Sequence, residues 1–331
     1  MKLIVSELEV WRRYVSREFY HVMTDLMTHY GWRQLAASQL WNGPGTIKGK
    51  LMELLGQLPK TILFWEGYHF LIEHVYDVLH LDCHKCLFAD DLHWGWREEG
   101  QNKFLCYSMC DTILSPYAYL FERFYPQLSG IKQVVWIPHS ASPDFMLPYN
   151  THPENAILLS GCLEYHYPFR QQMKRLHAEQ SYAIAYHPHP GYGCNYDYDK
   201  DGDVGHGYAA KINNYRVGFT DSTRYKYVVA KYFEIPATGA LLLADDAVAG
   251  QLKELAMREN SHYLPVSSAD LEEKIQYVLD EKNHEELDEI RRRGQQLIWK
   301  RHKTSDRAGL IDEICGAQGF KPTIKDNSCR A

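Results

Sequence analysis

The sequence predicts an α/β protein of two doubly wound domains, and three observations predict it. Strand-length apolar runs alternate with helix-length amphipathic runs over most of the chain, the pattern of parallel sheets covered by helices on both faces. The alternation stops in "HSASPDFMLPYNTHPEN", residues 139–155, which carry three prolines, several turn formers and no periodicity, and then it restarts. The length, 331 residues, suits two domains rather than one. These observations divide the chain into an N-terminal domain over 1–145, a C-terminal domain over 146–314 and a tail over 315–331 that frays in "KPTIKDNSCRA".

In the first domain strands are expected at "KLIVSEL" (2–8), "TILFWEG" (61–67), "CLFADD" (86–91), "DTILSP" (111–116) and "KQVVWIPH" (132–139), with helices over 9–29 and 67–80 between them. The second series is "NAILLSG" (155–161), "YAIAYHP" (182–188), "YRVGFTDS" (215–222), "ALLLADD" (240–246) and "HYLPVSS" (262–268), separated by helices over 168–179, 224–235, 268–280 and 283–301. Two such domains facing each other would place a cleft at the C-terminal edges of both sheets, where α/β proteins bind ligands. The loops carrying chemistry would then begin at Glu66, Asp91, Pro116 and His139 in the first domain. In the second they would begin at Gly161, His187, Thr220 and Asp245.

Composition narrows the partners. Hydrophobic residues make up 45% and charged residues 24%, ordinary for a globular protein with sizeable cores. A formal net charge of -6 and a pI of about 6.3 argue against nucleic acid or anionic lipid as a main partner. No apolar run approaches the roughly 18 residues that span a bilayer. The start, "MKLIVSELEVWRR", is too short and too acidic in its apolar part for a signal peptide. Eight cysteines without an export signal read as reduced thiols in the cytoplasm. The 24 tyrosines and 8 tryptophans suit a cleft for sugars or bases, and equally suit half-buried surfaces.

The stretch "KYFEIPATGALLLAD" concentrates the functional question. Helix 224–235 would be capped by Ser222 or Asp221, and its N-terminus would attract phosphate. Lys231 and Glu234 lie three apart and share a face. A lysine there neutralises a diphosphate, and a carboxylate accepts both hydroxyls of a ribose. Pro236 and Gly239 stop the helix before the next strand. The alternative reading is a surface ion pair on an ordinary helix.

The segment "YKYVVAKYFEIPATGALLLADD" resembles the donor-site helix of group-one glycosyltransferases, with the nearest likeness in the branch of CgeB-like spore maturation proteins. Downstream, "HYLPVSSADLEEKIQYVLDEKNHEELDEIRRRGQQLIWKRHKTSDRAGLI" resembles that family's closing strand and helices. Upstream, "ILLSGCLEYHYPFRQQM" resembles its first C-terminal strand, loop and helix. The likeness covers residues 155–314, and the N-terminal half fits in outline. It implies the GT-B fold, two Rossmann-like domains around a cleft. It also implies that Glu234 binds the donor ribose, that Lys231, Arg170 and the Ser222 region hold the diphosphate, and that Gly161 lets the backbone approach the phosphates. The loop around His187 and the region of Tyr208 would line the nucleobase or sugar pocket. Many retaining members carry a second Glu eight positions before the one at Glu234; Lys226 stands there, so inverting and retaining outcomes both stay open.

"CLFADDLHWGWR" ends a strand with Asp90, Asp91 and His93. Asp91 or His93 suits the general base of an inverting transfer, with Glu66, His69 and His139 as rivals and a solvated, capped turn as the plain alternative. "CHKC" and "CYSMC" have a spacing comparable to zinc ribbons, but their placement on a strand and on one face of a helix favours buried thiols. "DYDKDGD" begins like a calcium loop, yet Tyr208 stands where the closing Glu belongs, so a mobile acidic loop is expected. His187 and His189 lack a nearby third ligand. The resulting expectation is a cytoplasmic glycosyltransferase that moves a sugar from a nucleotide-diphosphate donor to a hydroxyl of a glycan or other acceptor. By the resemblance it needs no cofactor and no divalent metal. The alternatives are a sugar-nucleotide epimerase of the same fold and a non-catalytic nucleotide- or glycan-binding protein.

Overall fold

The structure, a computed structural model, describes residues 1–41, 45–96, 99–193 and 195–316. The frayed tail expected over "KPTIKDNSCRA" lies outside the described residues. The chain forms two compact units. Unit 1 comprises Met1–Glu7, Leu26–Ile137 and the chain from Ala308, while unit 2 comprises Leu8–Asp25 and Pro138–Arg307. The chain passes from unit 1 to unit 2 between Ile137 and Pro138, just before the segment 139–155 in which the sequence places the boundary, and the units also exchange segments. Residues 8–25 join unit 2, and the helix Thr304–Gly316 begins in unit 2 and ends in unit 1. Sequence position does not reveal which core an amphipathic helix will cover, so the exchange leaves no local signal.

Unit 1 is built on six parallel strands, β1 (Lys2–Val5), β2 (Trp32–Leu35), β3 (Thr61–Trp65), β4 (His84–Phe88), β5 (Thr112–Ser115) and β6 (Gln133–Trp136), in the order β2-β1-β3-β4-β5-β6. Five of these strands were expected; β2, "WRQL", was not, because Arg33 and Gln34 break its apolar character. The central strand β3 is buried on both faces, as its continuous apolar run requires. The helix expected over 9–29 is interrupted and appears as Leu8–Arg12 and Glu18–Tyr30. The one expected over 67–80 breaks at His74 into Tyr68–Glu73 and Val75–Leu79. The sheet winds outward in both directions from β1 and β3, so its topological switch lies between those two strands.

Unit 2 carries five parallel strands, β7 (Glu154–Gly161), β8 (Ile184–Pro188), β9 (Tyr215–Thr220), β10 (Leu241–Asp245) and β11 (Leu264–Val266), ordered β11-β10-β9-β7-β8. Ile157, Leu159, Val217, Phe219, Leu241 and Leu243 form the centre of its core, and Phe169 and Met173 of the helix Pro168–Ala178 close over them. The switch here lies between β7 and β9. Both domains are thus doubly wound and Rossmann-like, as the alternation predicts.

One element departs from expectation in a way that matters for the site. The helix before β10 spans Lys231–Ala237 and does not begin at 224. Residues leading to it form a loop in which Thr223 (φ 62) and Lys226 (φ 69) take left-handed backbone angles. Neither Asp221 nor Ser222 caps it. Pro236 sits in its last turn rather than beyond its end, where it has no N–H to give to the Tyr232 carbonyl, and Gly239 (φ 86) then redirects the chain. Gly218 of β9 lets this helix approach the sheet: a Cβ there would lie 2.7 Å from Ile235 Cγ2. Lys231 and Glu234 are held in place by that close packing.

Candidate functional site

At the switch of unit 2, Arg170 of the helix Pro168–Ala178 bonds to the ends of both β7 and β9 and forms a buried ion pair with Asp221. Arg170 Nε lies 3.0 Å from Asp221 Oδ1, and both side chains are 2% exposed. Arg170 also donates to the Cys162 carbonyl at 3.1 Å and to Thr220 Oγ1 at 2.9 Å. Asp221 Oδ2 accepts from the backbone N–H groups of Phe169 and Arg170, both at 3.1 Å. Asp221 therefore supplies the first turn of the helix Pro168–Ala178 with acceptors, not the helix that the sequence assigned to it. Burial pushes the Asp221 carboxyl up, against the pull of Arg170. Ser222 is fully enclosed, with its hydroxyl donating to Asp245 Oδ2 at 2.7 Å and its N–H to the same oxygen at 3.1 Å. Its expected cap role is corrected accordingly: β10 holds Ser222 inside the fold.

Above this pair lies Gly161, with φ 94. A Cβ there would meet Lys231 Cε at 2.5 Å and Arg170 Nη1 at 2.9 Å. The left-handed angle favours glycine here, and a Cβ would displace the end of the lysine side chain where it crosses the end of β7. Lys231 Nζ donates to the Tyr208 hydroxyl, which also meets Ser160 Oγ at 2.7 Å, and stands 3.9 Å from Glu234 Oε2. Tyr208 comes from the helix Gly205–Asn213, which the sequence reading did not place. His187 stacks on Tyr208 with ring centroids 5.8 Å apart, and its Nε2 lies 3.5 Å from Asp203 Oδ1. Burial pushes the His187 pKa down and that of His189 to about 4, with Lys231 and Arg170 adding to the effect on His189. Neutral imidazoles beside a cation suit a pocket for a polar, uncharged base or sugar. The acidic stretch after them is paired in part with lysines, Asp197 with Lys200 at 2.7 Å and Asp203 with Lys211.

Glu234 is 7% exposed, and burial raises its pKa against the lowering effect of Lys231. Glu18 and His139 act electrostatically on the same carboxyl. They form a second buried pair, His139 Nδ1 to Glu18 Oε2 at 2.7 Å, with Ser140 Oγ donating to Glu18 Oε1 at 2.8 Å. His139 was a rival candidate in the sequence; Glu18 was not found, because its partner is 121 positions away. Of the expected donor residues, the structure gathers Gly161, Arg170, His187, Tyr208, Lys231 and Glu234 around one edge, with Arg170 lying beneath the surface that Lys231 faces.

Asp91 and His93 belong to unit 1, on the turn after β4. His93 Nδ1 is 3.6 Å from Asp91 Oδ1, and the aspartate side chain is 49% exposed. Among the described cysteines, Cys86, Cys106 and Cys110 are buried. Burial pushes the Cys106 thiol up to about 12, and hydrogen bonding with Cys315 followed by burial raises Cys86. No group of three or more His, Cys, Asp and Glu side chains among the described residues is placed to hold a metal ion.

Residues 171–313 match a family model described as glycosyl transferase-like. No curated protein sequence matches the chain. Among solved structures, the fold is similar to sucrose-phosphate synthase from Thermosynechococcus elongatus, with a TM-score of 0.62 and 12% identity, covering 95% of this chain and 97% of that one. It is similar to an alpha-glucosyltransferase in complex with UDP (TM-score 0.57, 10% identity, 96% and 99% covered). It is also similar to Anabaena HepE in complex with UDP and glucose (TM-score 0.58, 10% identity, 96% and 100% covered). The expected GT-B fold is thereby established over nearly the whole chain, and the likeness to the glycosyl transferase-like model falls within unit 2 and the helix that follows it.

Proposed function

We propose that this GT-B protein is a glycosyltransferase that binds a nucleotide-diphosphate sugar on unit 2 and transfers the sugar to a hydroxyl of an acceptor bound by unit 1. One observation carries the reading: Lys231 is laid across Gly161 at the switch of the unit 2 sheet, with the Glu234 carboxyl 3.9 Å from its ammonium. A cation lying across a glycine at a strand end suits a diphosphate, and a buried acceptor beside it suits the ribose hydroxyls. UDP occurs in the complexes of the alpha-glucosyltransferase and of HepE, so UDP sugars are the first donors to test. Placement in the CgeB-like branch is part of the proposal and rests on the segment around Lys231 and Glu234. One structural neighbour was solved with DNA, but the net charge of -6 keeps nucleic acid outside our reading of the acceptor.

In the proposed reaction the acceptor oxygen bonds to the anomeric carbon as the bond to the nucleotide's terminal phosphate oxygen breaks, leaving its electron pair on the phosphate. Lys231 stabilises that charge, and Asp91, paired with His93, takes the acceptor proton. The read-out is transfer from UDP sugars to a panel of hydroxyl acceptors, run with chelator, since we read the reaction as independent of divalent metal. Conversion of donor alone to a new nucleotide sugar would instead favour an epimerase; nucleotide binding without turnover would favour a binding protein. No helix among the described residues is long and apolar enough to cross a membrane. A cytoplasmic location is proposed from the cysteine content.

Two substitutions test the assignment of roles. Glu234→Ala is expected to weaken nucleotide-sugar affinity by about 1.5–3 kcal/mol, the worth of hydrogen bonds to a charged group. Unchanged affinity by calorimetry in a folded variant would remove Glu234 from the site. Asp91→Asn keeps shape but cannot take a proton, so turnover is expected to fall about a hundredfold with donor affinity unchanged. Normal turnover, or a product that retains the donor's anomeric configuration by NMR, would remove Asp91 as base.

A further inference from the structure

Unit 1 has a cavity of about 770 Å³ that the transfer reaction as described does not use. It lies beyond the C-terminal ends of β1 and β3, the two strands between which the sheet reverses its winding. Glu7 follows β1, Ser38 follows β2, Glu66 and Tyr68 follow β3, and Lys103 comes from the helix Glu99–Met109. A topological switch is where open α/β sheets bind small molecules, and the volume is that of a site for one such molecule.

Its wall is mostly carbon and carries two carboxyls: that of Glu7, which is exposed and accepts from Ser38 N–H at 2.8 Å, and that of Glu66, which is set deeper. Glu66 takes a left-handed backbone angle, φ 57, which is rare for a residue with a long side chain and clusters at functional sites. The conformation is held by neighbours: Glu66 N–H donates to the Phe88 carbonyl at 3.1 Å. Its Oε1 accepts from Asp90 N–H at 2.9 Å and from the Tyr68 hydroxyl at 3.4 Å. Oε2 has no hydrogen-bond partner among the described residues. Lys103 Nζ is fixed beside it, 4.4 Å above the Tyr68 ring and donating to the Asp91 carbonyl at 3.0 Å. A carboxyl with one oxygen pinned and the other open accepts one hydrogen bond in a fixed direction, while the carbon wall accommodates an apolar body.

We propose that this cavity binds the acceptor and that the acceptor is a hydroxyl compound with an apolar body, anchored by an O–H, other than the one that reacts, that donates to Glu66 Oε2. The name acceptor rests on the glycosyltransferase reading; the binding site does not. Calorimetry on the full chain, without nucleotide, tests it with three probes: 4-butylphenol, its methyl ether 4-butylanisole, and methyl glucoside. The phenol is expected to bind, the ether to bind about tenfold more weakly for want of a donor, and methyl glucoside to give no heat. Glu66→Gln is expected to weaken the phenol about tenfold and leave the ether unchanged. Ser38→Trp, at an exposed position on the rim, is expected to block both, with circular dichroism confirming that each variant folds. Equal affinity for phenol and ether, or no effect of either substitution, overturns the proposal. Transfer to sugar acceptors without any phenol binding overturns it too and leaves the glycosyltransferase reading standing. Phenol binding that follows Glu66, with no transfer from any nucleotide sugar, retains the site and overturns the transferase reading.

Discussion

Asp221→Ala is expected to destabilise unit 2 by about 3–5 kcal/mol, the cost of removing one partner of a buried ion pair. The loss has two sources. Arg170 would keep its charge in a place that is 2% exposed, with only the neutral acceptors Cys162 O and Thr220 Oγ1 left to it. The helix Pro168–Ala178 would also lose the oxygen that accepts from Phe169 N–H and Arg170 N–H, a loss of about 1 kcal/mol for an ordinary cap. Chemical denaturation gives the measurement. Adding Arg170→Met to Asp221→Ala should restore part of the stability, because an apolar chain of similar length leaves no unpaired charge. A loss below 1 kcal/mol in the single variant, or additive behaviour of the two substitutions, would show that the pair does not hold β7 and β9 together.

That same pair shows what the sequence could and could not convey. The strands other than β2 were legible because each has a local signature: β3 and β10 are unbroken apolar runs, and β7 ends on a glycine. Lys231 and Glu234 were legible because three-residue spacing on a helix fixes a shared face without any tertiary information. Asp221 was misassigned for the converse reason. A carboxylate just before a helical run is a good cap by local rules, but the N–H groups it serves lie 52 and 51 positions away in sequence. The loop that follows takes left-handed angles at Thr223 and Lys226, residues that give no sign of them. Glu18 stayed hidden behind the same distance, since only folding brings it to His139. Tyr208 was named by resemblance, yet its helix was not, because two glycines in "GHGYAAKIN" argue locally against one. Glu66 was visible as a loop start, but its strained angle and its pinned oxygen exist only in the folded unit.

Lys231→Ala is expected to lower turnover by about a hundredfold to a thousandfold, the usual worth of one positioned group facing charge that develops in the transition state. The side chain is 14% exposed and is fixed from three sides: Gly161 beneath its Cε, the Tyr208 hydroxyl at its Nζ, and Glu234 at 3.9 Å. A cation held this firmly needs no reorganisation when the diphosphate takes up the electron pair of the breaking bond, so its effect should exceed simple attraction to a bound nucleotide. The variant should therefore lose more in kcat than in affinity for UDP, and Lys231→Arg should recover little, because the larger guanidinium does not fit across Gly161 as the ammonium does. Folding is not expected to suffer greatly, since Tyr208 keeps Ser160 Oγ at 2.7 Å. Steady-state rates set beside calorimetric UDP affinities separate the possibilities. A loss confined to affinity would make Lys231 a ground-state anchor. Unchanged turnover in a folded protein would move the diphosphate away from Gly161, and with it the donor site from the switch of the unit 2 sheet.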